Sequence, residues 1–290
     1  MKQLFKKNNI GWLFVILSVI AITLFYFYPM IDALFLSLQS GMGSTLTFTG
    51  LDNWGRLFND PTFIAALINT SIYLIVQVPV MILLALLFSS LLNDQTLKFR
   101  GFFRTAIFLP AVTSLVAYSV IFKYMFSGDG IANQFLMSLS IISDPINFLS
   151  DPFWAKITII LAITWRWTGY NMIFYLSALQ NVDKSIYEAA KIDGASSLQQ
   201  FLKITIPMLK PIILFTTITS TIGTLQIFDE VVNITGGGPG NATISISQYI
   251  YDLSFKYTPD FGYAATVAYV IVILVVILST IQFKLAGDKK

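Results

Sequence analysis

The chain has 290 residues, of which 56% are hydrophobic and 11% charged; its formal net charge is +3, and it contains neither Cys nor His. Soluble domains carry about 25% charged residues, so this surface is not built for water. The two missing residue types exclude disulfides, thiolate chemistry, the usual zinc and haem ligands and the commonest general base.

Six stretches are long enough to cross a bilayer as helices, which takes about 20 residues; they lie near 10–36, 65–92, 105–126, 157–181, 209–228 and 262–283. No charge falls between Asn8 and Ile31, between Pro61 and Asn93, or between Phe261 and Phe283. Nothing alternates with period two, which argues against a transmembrane barrel. The expectation is an all-α, polytopic membrane protein with six transmembrane helices. The first apolar run is too long for a signal peptide and lacks a small-residue cleavage site, so it is expected to be a retained helix.

With both termini placed in the cytoplasm, Arg56, Lys123, Lys156 and Lys256 fall outside and Arg166 falls inside a span. All other Lys and Arg then lie inside, as the positive-inside rule requires. The net positive charge therefore reports topology, and no nucleic-acid patch is expected.

Along the fourth span, Arg166 lies ten residues beyond Lys156, about 15 Å into the helix at 1.5 Å per residue. A mid-bilayer Arg is costly and faces a cavity or a partner; Asp229 and Asp32 are candidate partners. Trp165, Trp167, Tyr170, Asn171 and Tyr175 accompany it.

Residues 187–207 read YEAAKIDGASSLQQFLKITIP, a polar segment between two apolar ones. Ser185 and Glu188 have the spacing of a capping box, as have Ser197 and Gln200, and Gly194 permits a sharp turn between the two short helices. The fifth span adds Thr217, Thr219, Thr224 and Gln226, with Asp229 and Glu230 at its outer end. GGGPGNAT at 236–243 has no Lys and no phosphate-loop pattern, so it reads as an outer loop. No Gly-Lys-Ser/Thr loop occurs anywhere. If the chain does driven work, the nucleotide chemistry lies on another chain, and no enzyme activity is expected here.

The spacing Glu188-Ala189-Ala190, three residues, Gly194, nine residues, Ile204, one residue, Ile206-Pro207 resembles the EAA loop of binding-protein-dependent ABC importer permeases. The departure is Ile206 for Leu. The resemblance implies a type I importer core of five helices over 63–284, after an N-terminal helix and first outer loop over 1–62. It implies a coupling helix seated in an ATP-binding subunit, with Glu188 as the polar contact, Ala189 and Ala190 as the packed face and Gly194 as the turn, flanked by Tyr187 and Asp193.

The implied partners are a second homologous permease, two ATP-binding subunits and an extracytoplasmic solute-binding protein docking on 37–62, 127–155 and 229–261. No cofactor is expected on this chain, since ATP and Mg belong to the ATPase. The location implied is the bacterial cytoplasmic (inner) membrane.

TWRWTGYNMIFYLSALQ, FDEVVNITGGGPGNAT and Asp260-Phe-Gly-Tyr263-Ala-Ala look like the carbohydrate, maltose-transporter-type subfamily. Aromatic faces with amide and hydroxyl groups suit a sugar ring. The expected substrate pathway is Trp165, Arg166, Trp167, Tyr170, Asn171, Tyr175, Thr219, Gln226 and Asp229. Permeases for other small solutes, such as an amino acid or a polyol phosphate, share the EAA loop and stay open. An ion-coupled secondary transporter would show relay residues in several spans and often an internal repeat; one mid-span Arg, no mid-span carboxylate and no evident repeat are found.

Overall fold

The computed structural model describes residues 10–41 and 45–286. Lys2, Lys6, Lys7, Lys289 and Lys290, which carry part of the expected orientation, lie outside the described residues. In chain order, α1 (Ile10–Ile22), a π-helical turn Thr23–Phe27 and α2 (Tyr28–Ser37) run on without interruption. A two-residue antiparallel pair follows, β1 (Gln39–Ser40) with β2 (Thr47–Phe48), then the short α3 (Asp52–Leu57). The remaining helices are α4 (Pro61–Asn93), α5 (Arg100–Val112), α6 (Leu115–Met125), α7 (Ile131–Ser138), α8 (Pro152–Leu179), α9 (Lys184–Ile192), α10 (Ser197–Gln200), α11 (Ile206–Leu225), α12 (Asp229–Ile234), α13 (Ile246–Tyr251) and α14 (Phe261–Ala286).

Four helical stretches are long and apolar enough to cross a membrane: Phe14–Ser37, Pro61–Asn93, Ser197–Leu225 and Phe261–Leu285. The pair α5 and α6, bent by 102° at a short break, makes a fifth if counted as one broken span. The difference from six lies in α8. Its 28 residues suffice in length, but Arg166, Asn171 and the Trp, Tyr and Thr residues between them lower its apolarity.

The described residues divide into two compact units, 10–60 with 250–270, and 61–249 with 271–286. In the larger unit α8 is the central helix. Its start is set locally: Pro152 takes the first helical position, and the Asp151 carboxylate accepts from the Phe153 and Trp154 amides at 2.9 and 3.0 Å. This satisfies two of the donors that any helix N-terminus leaves free. One face of α8 buries Met172, Tyr175 and Leu179 with Ala85, Leu86 and Leu92 of α4 and Leu209 of α11. Further along, Ile159 and Ile163 meet Tyr73, Ile227 and Val231. The glycine-rich loop is tied to α4: Asn69 Nδ2 donates to the Asn241 and Ile244 carbonyls at 2.9 and 3.1 Å, and the Tyr73 hydroxyl to that of Thr243 at 2.9 Å.

The break between α5 and α6 would leave the last carbonyls of α5 without helical donors, a heavy cost where no water can replace them. Arg166 supplies the donors. Its Nη1 reaches the Pro110 and Thr113 carbonyls at 3.1 and 2.8 Å, and its Nη2 the Ala111 carbonyl at 3.2 Å. The expected carboxylate partner is replaced by three backbone oxygens. Three residues on, Gly169 brings α8 against α5 so closely that an added Cβ would lie 2.0 Å from the Ile107 carbonyl oxygen.

In the smaller unit, Asn53 organises the turn after α2 by donating to the Ser37 and Gln39 carbonyls at 3.2 and 2.7 Å. The Arg56 guanidinium pairs with Asp260 at 2.7 Å and lies 3.8 Å from the centre of the Tyr263 ring, whose hydroxyl donates to Asp60 at 2.6 Å.

Gly169→Val should therefore force α5 off α8. Overpacking of this kind costs about 1–3 kcal/mol, and thermal unfolding of the detergent-solubilised protein should shift down by several degrees. Gly101→Ala, where an added Cβ meets nothing within 4 Å, should leave the transition in place. Arg166→Met should lower it as well, and Arg166→Lys less so, because an ammonium still donates to part of the carbonyl set.

Candidate functional site

A cavity of about 330 Å³ opens beside α8 in the larger unit. It is lined by Gln77 and Met81 of α4, Leu115 of α6, Ile163, Trp167 and Tyr170 of α8, Thr219, Ser220, Gly223 and Thr224 of α11, and the segment from Gln226 to Glu230. Trp167 and Tyr170 meet edge to face, with centroids 5.5 Å apart and planes at 88°. That arrangement is the one the ring quadrupoles favour, and it fixes two aromatic surfaces at right angles on the cavity wall. Thr224 donates to the Gln77 side-chain oxygen at 3.0 Å, which holds that amide in place. Gln226 is exposed and Asp229 half-buried.

Of the nine pathway residues named from the sequence, Trp167, Tyr170, Thr219, Gln226 and Asp229 line this cavity. The other four do not. Trp165 turns toward α6, its ring 5.3 Å from that of Phe122 and 6.4 Å from that of Tyr118. Arg166 is committed to the α5 carbonyls. Asn171 is buried and donates to the Trp167 carbonyl at 3.0 Å, and the Tyr175 hydroxyl shares a 2.6 Å hydrogen bond with Thr216. The Tyr175 hydroxyl is satisfied between helices, the usual fate of such groups in this packing, whereas Asn171 bonds within α8 and its buried Oδ1 has no partner among the described residues.

Gln77 and Ser220 also line the cavity, beyond the residues expected from the sequence. An amide at Gln77, inside a run without charges, was the available signal, because polar groups within a span need a partner or a cavity. Glu230 is buried and accepts from the Tyr118 hydroxyl at 2.5 Å, and the Arg166 guanidinium lies 4.8 Å from the centre of the same Tyr118 ring. Burial pushes the Glu230 carboxyl above the usual carboxylate range, against the downward pull of that hydrogen bond.

The second candidate element is the elbow formed by α9 and α10. The start of α9 differs from expectation: Asp183, not Ser185, caps it, accepting from the Ser185 amide at 2.9 Å. A carboxylate caps as well as a hydroxyl does, and the bond from the Ser185 amide holds the Asp183 carboxyl below the usual range. The second capping box is real but one residue earlier, Ser196 with Gln199.

Between the two helices Gly194 adopts φ +79°, a left-handed conformation that glycine accepts without strain. The Ala195 amide closes the turn on the Ala190 carbonyl at 2.9 Å. No residue of α9 or α10 is buried. Glu188 and Ala189 are exposed and Ala190 half-buried, while Ile192 and Leu198 show 87% and 66% of their surface. The elbow is anchored by Tyr187, whose hydroxyl shares a 3.0 Å hydrogen bond with Thr205 in the π-helical turn Phe201–Thr205 that leads into α11.

Residues 54–287 match the family described as binding-protein-dependent transport system inner membrane component. The chain is 59% identical over 282 residues to the lactose transport system permease protein LacF of Rhizobium radiobacter, covering 97% of this chain and 95% of that one. It is 36% identical to the arabinooligosaccharides transport system permease protein AraP of Bacillus subtilis, covering 99% and 91%. Identity to the trehalose/maltose transport system permease protein MalF of Thermococcus litoralis is 30%, with 100% and 97% covered. A chain from the crystal structure of a bacterial ABC transporter that imports the acidic polysaccharide alginate shares the fold at a TM-score of 0.85 and 22% identity, with 100% and 99% covered. With four-fifths of its length matched and relatives this similar end to end, the chain belongs to the family of binding-protein-dependent transport system inner membrane components.

Proposed function

We propose that this chain is the membrane-spanning permease subunit of an ATP-driven importer for a sugar or oligosaccharide, and that substrate passes through the cavity at Trp167 and Tyr170. The observation that carries the reading is the pairing of that cavity with the exposed elbow along one helix, α11. The relatives named for lactose, arabinooligosaccharides and trehalose or maltose support a carbohydrate cargo. The aromatic pair would take the C–H face of a sugar ring, and Gln77, Thr219, Gln226 and Asp229 its hydroxyls. A polyol phosphate fits poorly, since Asp229 and Glu230 line the cavity and no Lys or Arg does.

In this reading six spans cross the cytoplasmic membrane of a bacterium, with α8 and the broken α5–α6 pair among them and both termini in the cytoplasm. A second, homologous permease completes the pathway. Two ATP-binding subunits, which hold ATP and Mg, receive the elbows, and an extracytoplasmic solute-binding protein delivers the cargo. Hydrolysis is the ATPase's work; this chain transports.

Closure of the ATPases would push on Glu188, Ala189, Ala190 and Asp193. The Tyr187–Thr205 bond would pass the displacement into α11, whose 20 residues span about 30 Å and end at the cavity.

Three outcomes are expected. Glu188→Lys and Gly194→Leu should leave the protein in the membrane at normal level but reduce co-purification with the ATPase and sugar uptake at least tenfold. At position 194 the fault is backbone strain, because an added Cβ meets nothing within 4 Å, so Gly194→Asn should retain more uptake than Gly194→Leu. Normal uptake and normal ATPase retention in both original variants would overturn the coupling role.

Trp167→Ala, Tyr170→Ala and Gln226→Ala should each raise the KM for uptake several-fold, in line with about 1 kcal/mol per hydrogen bond, while ATPase retention is unchanged. Unaltered transport kinetics in all three would remove the cavity from the pathway.

Ser197→Cys should resist an impermeant thiol reagent in intact cells and Asn241→Cys should react, against a chain with no native Cys. Labelling at 197 from outside would reverse the orientation.

A further inference from the structure

A second cavity, of about 340 Å³, lies at the end of the larger unit where α4 and α8 finish and α5 begins. It is separate from the cavity at Trp167 and shares no lining residue with it. Its wall carries three cations from two helices, Arg100 and Arg104 of α5 and Lys184 of α9, together with the amides Asn93, Gln95 and Gln180. No carboxylate lines it.

The nearest acids in sequence make local hydrogen bonds and lie outside the wall, although the Asp94 charge also acts on Arg100 and Lys191. Asp94 accepts from the Thr96 amide and hydroxyl, both at 2.8 Å, and Asp183 from the Ser185 amide. Neither Arg100 nor Lys184 has a hydrogen bond or ion pair among the described residues. Arg104 donates through Nη2 to the Leu92 carbonyl at 2.6 Å, but its Nε–H is buried and has no acceptor. A buried donor left unmet is costly, and three gathered positive charges repel one another unless an anion lies between them.

The surroundings indicate where that anion comes from. Phe99, Phe102 and Phe103 flank the two arginines in sequence and are 79%, 69% and 43% exposed. Aromatic side chains next to cations at the end of a span mark the bilayer's headgroup level, and basic pockets between helices at this depth hold lipid headgroups.

We propose that this cavity binds the phosphate of an anionic phospholipid, with the Arg104 Nε–H and the Arg100 and Lys184 cations around the headgroup and the acyl chains over Phe99, Phe102 and Phe103. The lipid would tie the start of α5 to the start of α9, so bilayer composition would bear on how firmly the elbow is held. The inference rests on the cavity and its charges, not on the nature of the transported solute.

Native mass spectrometry of the detergent-purified full chain in its transporter complex tests it, with phosphatidylglycerol and phosphatidylcholine as probes and inorganic phosphate as competitor. Phosphatidylglycerol should be retained in preference to phosphatidylcholine and should survive millimolar phosphate. The double variant Arg100→Gln, Lys184→Gln should lower its affinity about thirtyfold, the contribution expected from two cations near a lipid surface. Gln180→Glu, which adds a carboxylate to the wall and breaks no side-chain hydrogen bond among the described residues, should lower it too, and it keeps the test available if the double variant does not assemble. Lys156→Gln, at the other end of α8, should change nothing.

Equal retention of both lipids, or an equal loss with Lys156→Gln, would overturn the proposal. So would undiminished binding in Gln180→Glu and in the double variant. Displacement by inorganic phosphate at the lipid's own concentration would make the cavity a site for a free anion and overturn the lipid assignment, leaving sugar uptake through the other cavity untouched.

Discussion

Where α5 stops and α6 turns away by 102°, the Pro110 carbonyl keeps the Thr113 amide and hydroxyl as donors, and the guanidinium of Arg166 donates to it and to the Ala111 and Thr113 carbonyls. Each unsatisfied backbone group costs several kcal/mol in an apolar medium. The break is affordable only because α8 delivers five N–H donors in one planar group at that point. Gly169, one turn along, lets α8 come close enough to α5 for the guanidinium to reach. The cavity depends on this joint, since Leu115 at the start of α6 forms part of its wall and Trp167, adjacent to Arg166, forms another.

The polar side chains of the larger unit serve two purposes, and position alone separates them. Tyr175, Thr216 and Asn69 face neighbouring helices or the glycine-rich loop and close hydrogen bonds there, and the buried Asn171 donates to the Trp167 carbonyl of its own helix. Trp167, Tyr170, Thr219 and Gln226 face open space. A residue one or two positions along a helix moves by 100° or 200° around its axis, so neighbours in α8 with the same chemistry end in opposite roles. Trp165 and Trp167 illustrate the rule: one packs on the rings of α6, the other on Tyr170.

The elbow and the cavity are joined by covalent structure. From the turn at Gly194 the chain passes through the capped α10, a π-helical turn and then α11, without an intervening loop. A stiff helix of this length carries a displacement at one end to the other. The single Tyr187–Thr205 bond ties α9 to the same shaft. Ile192 and Leu198 leave apolar surface exposed on the elbow.

The all-helical, membrane-embedded class was legible in composition and in the long uncharged runs, because a bilayer imposes length and apolarity residue by residue. The elbow was legible too, since capping and turn chemistry are local; even so, both caps moved by a residue or two, Asp183 and Ser196 outcompeting neighbours that offered similar oxygens. Of the cavity's aromatic and amide lining, Trp167, Tyr170 and Gln226 could be named from their place in the fourth and fifth spans, and Gln77 and Phe228 could not. The remainder was decided by tertiary structure. Nothing in the order of residues says that α5 ends at Val112 and bends, so nothing says that Arg166 is needed by carbonyls from a different helix rather than by a carboxylate or a ligand. Nor could Gln77 be assigned to the cavity until α4 was rotated against α11 by the packing of Tyr73, Met81 and Leu86. Periodicity tells which residues share a face of one helix; which neighbour, or which empty space, that face meets is set by contacts between residues distant in the chain.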